Sequence, residues 1–374
     1  MLKKDDLLIE KSGGGDNQPV GFVVRYGFDQ PSIYSNFMAK MELRKSKAHP
    51  IFFKYLHSSL YYQRINVKSI KQTTGIQNLD TTYYLQESVP YPPITEQKMV
   101  AKFLDHKTSE IDSLIADKEK LIERLEEYKQ SIITEAVTKG LDPNVKMKDS
   151  GIEWIGEIPE HWELRQLKHA FKIIYRYPTY YGIEYVDEGI IEIRGEMLKD
   201  NGLIDADNNK RYISNLTSEK FPMTKLKEYD LVMSVRGTMG KIGLVTKELE
   251  NSNITANLLR LSPRHEIVNS KWLLWLMLSE AFNKEMDKYT DKTTIKTIRV
   301  PWLIKIDIPV PTIQEQKDIS LFLDRKYTEI EDAVNGIKQQ IQNLKQYRQS
   351  LIYEAVTGKI DVREYEPERS EQLA

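Results

Sequence analysis

The sequence predicts an α+β chain in which two mixed helix–sheet regions alternate with two long coiled-coil helices. Two observations carry this. A 53-residue segment occurs twice, at 90–142 and 309–361, offset by 219 residues without a gap and with 23 identical positions. Each copy spaces its apolar residues three and four apart between charged ones, the pattern of an amphipathic helix. A period this long lies outside the roughly 20–50 residues of solenoid units, so it marks a duplicated large module. Such a chain is expected to be pseudo-twofold, with its two long helices antiparallel.

The elements follow in order. Residues 1–89 form a first globular region, where Asp6-Leu7-Leu8-Ile9 leads through Ser12-Gly13-Gly14-Gly15 into Val20-Gly21-Phe22-Val23. That reads as strand, glycine turn, strand. Residues 90–145 hold the first long helix. It starts after Pro92-Pro93, because proline fixes its own φ and disfavours helix in the residue before it. Its seam is read as Ile111, Leu114, Leu121, Leu125, Tyr128 and Ile132, interrupted by Lys118. Thr138-Lys139-Gly140 ends it with glycine near a C-cap. One helix over 94–138 would span about 65 Å, at about 1.5 Å per residue.

Residues 146–308 form the second globular region. Asp230-Leu231-Val232-Met233 runs into Arg236-Gly237-Thr238-Met239-Gly240-Lys241 and Ile242-Gly243-Leu244-Val245, again strand, turn, strand. The apolar run Trp272–Leu278 reads as a buried helix, and Trp272, Trp275 and Trp302 are assigned to the core. Residues 309–361 repeat the long helix after Pro309 and Pro311. Its seam is Ile330, Ala333, Ile337, Leu344, Tyr347 and Leu351, interrupted by Gln340, and it ends at Thr357-Gly358-Lys359. Residues 362–374 form a tail.

The globular regions repeat only in part. Thr73-Thr74-Gly75-Ile76 ends 219 residues before Thr293-Thr294-Ile295 ends, but far more chain precedes Asp230 in its region than precedes Asp6. The first region therefore has no counterpart for the opening half of the second. Its apolar residues Phe22, Val23, Val24, Ile51, Phe52 and Phe53 are expected to be completed by a second chain, or to leave the region unstable.

Composition excludes several classes. There are no cysteines, hence no disulfides and no cysteine–zinc sites, which suits a reducing cytoplasm. No signal peptide is read at the N-terminus, and no apolar run reaches membrane-spanning length. The six histidines are scattered without metal spacing. No phosphate loop or dinucleotide fingerprint occurs, since Gly237–Gly243 has the wrong spacing around Lys241. Asp187-Glu188 are neighbours in sequence and read as a solvated turn, and Gly13-Gly14-Gly15 as a flexible turn. The reading is of no catalytic and no metal-binding residues.

The net charge is −1, but residues 164–300 hold 22 Lys/Arg against 18 Asp/Glu. Several cations there sit beside aromatics or turns. They give the candidate DNA-binding set Arg176, Lys210, Arg211, Arg236, Thr238, Lys241, Thr293, Thr294 and Lys296. Arginine and lysine supply phosphate contacts, arginine can read guanine, and threonine hydroxyls reach either.

The ordered motifs Pro92-Pro93-Ile94-Thr95-Glu96-Gln97, Glu135-Ala136-Val137-Thr138, Pro311-Thr312-Ile313-Gln314-Glu315-Gln316 and Glu354-Ala355-Val356-Thr357-Gly358-Lys359-Ile360-Asp361 resemble the specificity subunit of a Type I restriction-modification system. Asp149-Ser150-Gly151-Ile152-Glu153-Trp154-Ile155-Gly156-Glu157-Ile158-Pro159-Glu160-His161-Trp162 resembles the segment that opens a target-recognition domain in that family. The resemblance implies a non-catalytic chain with two target-recognition domains reading the halves of a split double-stranded DNA target. It implies docking of two methyltransferase subunits and of restriction subunits, with S-adenosylmethionine, ATP and magnesium held by those partners only. A coiled-coil scaffold without DNA readout is the alternative.

Overall fold

The computed structural model describes residues 1–44, 46–72, 75–176, 182–237, 240–291 and 297–366. The chain divides into two compact units, Met1–Ile122 with Val334–Ala374, and Glu123–Ala333. Each long helix contributes one part to each unit.

The second unit is built on an antiparallel sheet. Its strand order is Phe171–Arg176, Leu258–Pro263, Leu231–Ser234, Ile242–Leu244. Successive side chains of a strand point to opposite faces, and both faces here are covered. Leu231, Met233, Leu259 and Leu261 share a core with Trp272, Leu273 and Leu276 of the helix Ser270–Leu278. Val232 and Leu258 pack instead with Ile193, Met197, Leu198, Leu226, Val245 and Ile254. Ile193 and Ile254 lie on a second sheet, ordered Tyr185–Val186, Tyr212–Ile213, Ile190–Ile193, Asn253–Ile254. Between the layers lies a buried ion pair. Arg260 Nε donates to Asp230 Oδ2 at 2.8 Å, with the two side chains 3% and 4% exposed. The predicted strand–turn–strand pairs Leu231↔Leu244 through Met233↔Ile242.

The first unit repeats part of this plan. Its antiparallel sheet runs Val23–Arg25, Leu7–Glu10, Met38–Met41, and the helix Pro50–Tyr62 buries Phe52, Tyr55 and Leu56. Leu7, Ile9, Val20, Val23, Leu79 and Tyr84 form its core. The Asp230–Arg260 pair has a counterpart in Asp6 and Lys40, 3.0 Å apart, but here the side chains are 14% and 17% exposed. Of the residues expected to lack cover, Phe22 and Val24 are 38% and 40% exposed. Val23 and Phe52 depart from that expectation and are buried, Val23 in the core with Leu7 and Ile9, and Phe52 on the inner side of the helix Pro50–Tyr62.

The long helices run Ile94–Lys139 and Ile313–Val356. In the first unit Asp112 pairs with Arg348, and Lys118 Nζ donates to Gln340 Oε1 at 2.7 Å. One partner number falls as the other rises, so the segments are antiparallel. The two polar residues that interrupt the predicted seams therefore bond to each other. In the second unit Lys129 Nζ donates to Glu331 Oε1 at 2.7 Å. Burial works against the Lys129 ammonium, but Glu126 and Glu331 outweigh it and raise its pKa.

The seam itself is corrected. Ile111, Ile115, Val334, Ile337 and Ile341 are buried in the first unit, and Ile133 and Ile330 in the second. Leu114, Leu121, Tyr128 and Tyr347 are about half exposed, and Ala333 is exposed as well. From Ile111 the seam steps four and then three, not three and then four. Both faces carry apolar residues, and only the partner helix selects between them.

The helix ends follow local chemistry. Thr312 and Glu315 form a reciprocal capping box: Glu315 Oε2 accepts Thr312 N at 3.0 Å, and Thr312 Oγ1 accepts Glu315 N at 3.3 Å. At the other end Gly358, at φ +73°, allows Lys359 N to reach Glu354 O at 2.8 Å, a Schellman closure.

Glu315 also accepts from Trp162 Nε1 at 3.0 Å and lies 2.9 Å from His161 Nε2. Burial opposes its charge, but the Thr312, Trp162 and His161 contacts prevail and hold its pKa at about 2, against an ordinary 4.5. The folded state thus releases this proton more readily than the unfolded chain. Stability from this group is complete above pH 4.5 and is lost as pH falls from there through about 2. Glu315→Gln should therefore lose less stability than the parent over that acid interval. Urea midpoints measured at pH 5, 4 and 3 check this, and identical acid slopes would refute it.

Candidate nucleic-acid interface

Three elements of the second unit meet at one end of its central sheet. The edge strand ends at Arg176, whose Nε donates to Ala256 O at 3.2 Å. Arg236 follows Leu231–Ser234 and forms a backbone bridge with Thr297. Thr297 opens the short strand Thr297–Ile298, which leads through Arg299 into the helix Val300–Leu303. A groove here is lined by Ile174, Arg176, Leu259, Arg299 and Trp302.

Trp302 is not in the core; it is 50% exposed. On a one-turn helix only one side faces inward, and Leu303 takes it, being fully buried. Tyr289 stacks on Trp302, with centroids 6.3 Å apart and planes 6° from parallel, and Lys305 Nζ lies 5.3 Å from the indole centre. Guanidinium groups beside exposed aromatic planes can hold phosphate oxygens while offering stacking surfaces.

The other candidates are placed apart from this groove. Lys210 pairs with Asp207 at 2.5 Å and Lys241 with Asp200 at 3.0 Å. Exposed pairs of this kind contribute little to stability, so a nucleic-acid phosphate can displace either aspartate. The Arg211 guanidinium lies 4.8 Å from the Tyr185 ring centre. Near it, burial raises the pKa of the Glu192 carboxyl, which Arg211 and Arg194 oppose. Thr238, Thr293, Thr294 and Lys296 lie outside the described residues, as does the aromatic stretch 177–181.

Sequence reasoning missed Tyr289, Arg299, Trp302 and Lys305. A signal was present, since Trp302 stands between Arg299 and Lys305, cations near an aromatic as Arg176 lies between Tyr175 and Tyr177. Among the described residues no group of three His, Asp or Glu could hold a metal, and no helix is long and apolar enough to cross a membrane.

Residues 159–343, which include this groove, match the family described as the Type I restriction modification DNA specificity domain. Residues 159–343 thus carry a type I specificity domain, and the chain resembles type I specificity subunits along most of its length. It is 28% identical over 374 residues to the Type I restriction enzyme MjaVIII specificity subunit of Methanocaldococcus jannaschii, covering 97% of this chain and 81% of that one. It is 26% identical to the EcoBI specificity subunit of Escherichia coli, covering 88% of this chain and 70% of the relative. The fold agrees. A chain solved in a study of complex assembly and conformational transition of the type I R-M system superposes with a TM-score of 0.75 at 17% identity, covering 96% of this chain and 83% of that one. The HsdS subunit from Thermoanaerobacter tengcongensis gives 0.56 at 17% identity, covering 96% and 82%. DNA sequence specificity is thus the role of this family.

Proposed function

We propose that the chain is the non-catalytic specificity subunit of a cytoplasmic type I restriction-modification complex. It reads a bipartite duplex target and docks two methyltransferase subunits and the restriction subunits. S-adenosylmethionine, ATP and magnesium act on those partners. The observation that carries this reading is the recurrence of one joint in both units. Gln97 accepts His49 N and donates to Lys47 O and Pro92 O, while Gln316 accepts Asn269 N and donates to Ile267 O and Pro311 O. Two similar globular regions, each fixed to the start of a like helix, suit two half-sites. The exposed Leu114, Leu121, Tyr128 and Tyr347 supply apolar area for docking on those helices.

The test uses the chain assembled with its methyltransferase subunits. Salt-dependent retention of duplex DNA by the assembly is expected, as is no methyl transfer by the isolated chain. Failure of the assembly to retain DNA would leave a scaffold, and methyl transfer by the chain alone would make it an enzyme.

Within the second unit, Arg236→Ala should weaken binding of the specific duplex by roughly 1–3 kcal/mol, the loss expected for a base-reading arginine. Lys241→Ala should act evenly across sequences and reduce the salt dependence, as a phosphate contact does. Titrations at two salt concentrations distinguish the two, and unchanged affinity for both would assign this turn to folding.

A further inference from the structure

The two units differ in what covers them, and the differences fall on one line. In the second unit Leu258–Pro263 is flanked on its outer side by Phe171–Arg176. Its counterpart in the first unit is Met38–Met41, since Lys40 stands opposite Leu8 as Arg260 stands opposite Val232. Among the described residues nothing pairs with the outer side of Met38–Met41. In the second unit Asp307–Val310 pairs with Glu163–Gln166. The stretch 219 residues earlier, 88–91, has no backbone partner among the described residues. Glu315 accepts Trp162 Nε1 at 3.0 Å and meets His161. Its counterpart Glu96 has no hydrogen-bond partner among the described residues, and nearby Arg363 is engaged by Asp361 at 2.8 Å.

All three fillers of the second unit come from one stretch, 157–176. We propose that the first unit is a docking surface for a polypeptide stretch equivalent to 157–176. That polypeptide carries a tryptophan for Glu96, a short strand for 88–91 and an antiparallel strand for the outer edge of Met38–Met41. The chain just before that edge is apolar and open, with Phe28, Ile33 and Phe37 71%, 87% and 53% exposed. An unpaired strand edge beside apolar surface is the usual receptor for strand addition.

A whole second copy of this chain is the wrong occupant. Its own stretch 157–176 already completes its second unit. The segment 198–204 that covers Gly243 there would also not fit, because an added Cβ at Gly243 would meet Ile204 at 2.4 Å. The first unit has Val24 at the matching register, 40% exposed.

The probe is a synthetic peptide with the sequence of residues 157–176, added to the full chain. Hydrogen exchange at 38–41 and 88–91 should slow at least tenfold at saturation, with no effect of a scrambled peptide. Glu96→Ala should weaken peptide binding about tenfold while leaving exchange in the unliganded chain unchanged. Three results overturn the proposal: no protection by the peptide, full protection of 38–41 before peptide is added, or equal affinity of the Glu96→Ala chain. The second would mean that this chain or another copy of it already covers the edge.

Discussion

Asp230→Ala is expected to destabilise the second unit by about 3–5 kcal/mol, because it strands a buried charge. Asp230 receives Arg260 Nε at 2.8 Å, Ser262 Oγ at 2.5 Å and Lys227 N at 2.9 Å, and Arg260 is 3% exposed. Without the carboxylate, the guanidinium keeps only Met223 O, at 3.1 Å, among its recorded partners. The matched change in the first unit should cost far less. Asp6→Ala still leaves Lys40 its Glu42 partner, 2.9 Å away in the parent, so only a small loss is expected. Hydrogen exchange read separately at Leu231–Ser234 and Leu7–Glu10 measures the two losses. Equal losses would mean that cover over the pair does not set its worth.

The second large effect is at the joint between globular region and helix. Gln316 is fully buried and uses both ends of its amide. Its Oε1 accepts Asn269 N at 2.7 Å, and its Nε2 donates to Ile267 O at 3.0 Å and Pro311 O at 2.9 Å. Gln316→Leu keeps the bulk but leaves one buried N–H and two carbonyls unpaired. At about 1–3 kcal/mol for each buried group left unsatisfied, a loss of about 3–5 kcal/mol is expected. Gln97→Leu should do the same to the first unit, whose three bonds span 2.8–3.0 Å. Urea unfolding followed by exchange in each unit is the measurement. A loss below 1 kcal/mol at either glutamine would show that water or a shifted backbone takes over its bonds.

The long helices, their proline starts and their glycine ends could be read from the chain because each depends on a few neighbouring residues. The hairpin after Asp230 was legible for the same reason. The face that each helix buries was not, since Ile115 and Leu114 are both apolar and the choice depends on a helix more than 200 residues away. Lys129 on that seam reads as a solvated charge until Glu331 is seen beside it. The second sheet was missed because Tyr185–Val186, Tyr212–Ile213 and Asn253–Ile254 are two residues each, too short to display a period of two. At the candidate interface, Arg176 and Arg236 were picked out by their neighbours, Tyr175 with Tyr177 and the turn at Gly237. Trp302 was misassigned because tryptophan is usually buried, and only the position of Leu303 shows otherwise.

The helix ion pairs have one more consequence. Lys129 bonds Glu331 in one unit and Arg348 bonds Asp112 in the other, and within each combination the like partners are 219 residues apart. Counted from the start of each repeat, the same two positions meet in both places with their owners exchanged. That is the rule of an isologous contact between identical subunits. A polypeptide of half this length, with one globular region and one long helix, carries both members of the pair on its single helix. Two such polypeptides could clasp each other with no residue changed at the contact. Within one chain, the two repeats are free to diverge wherever the clasp does not hold them.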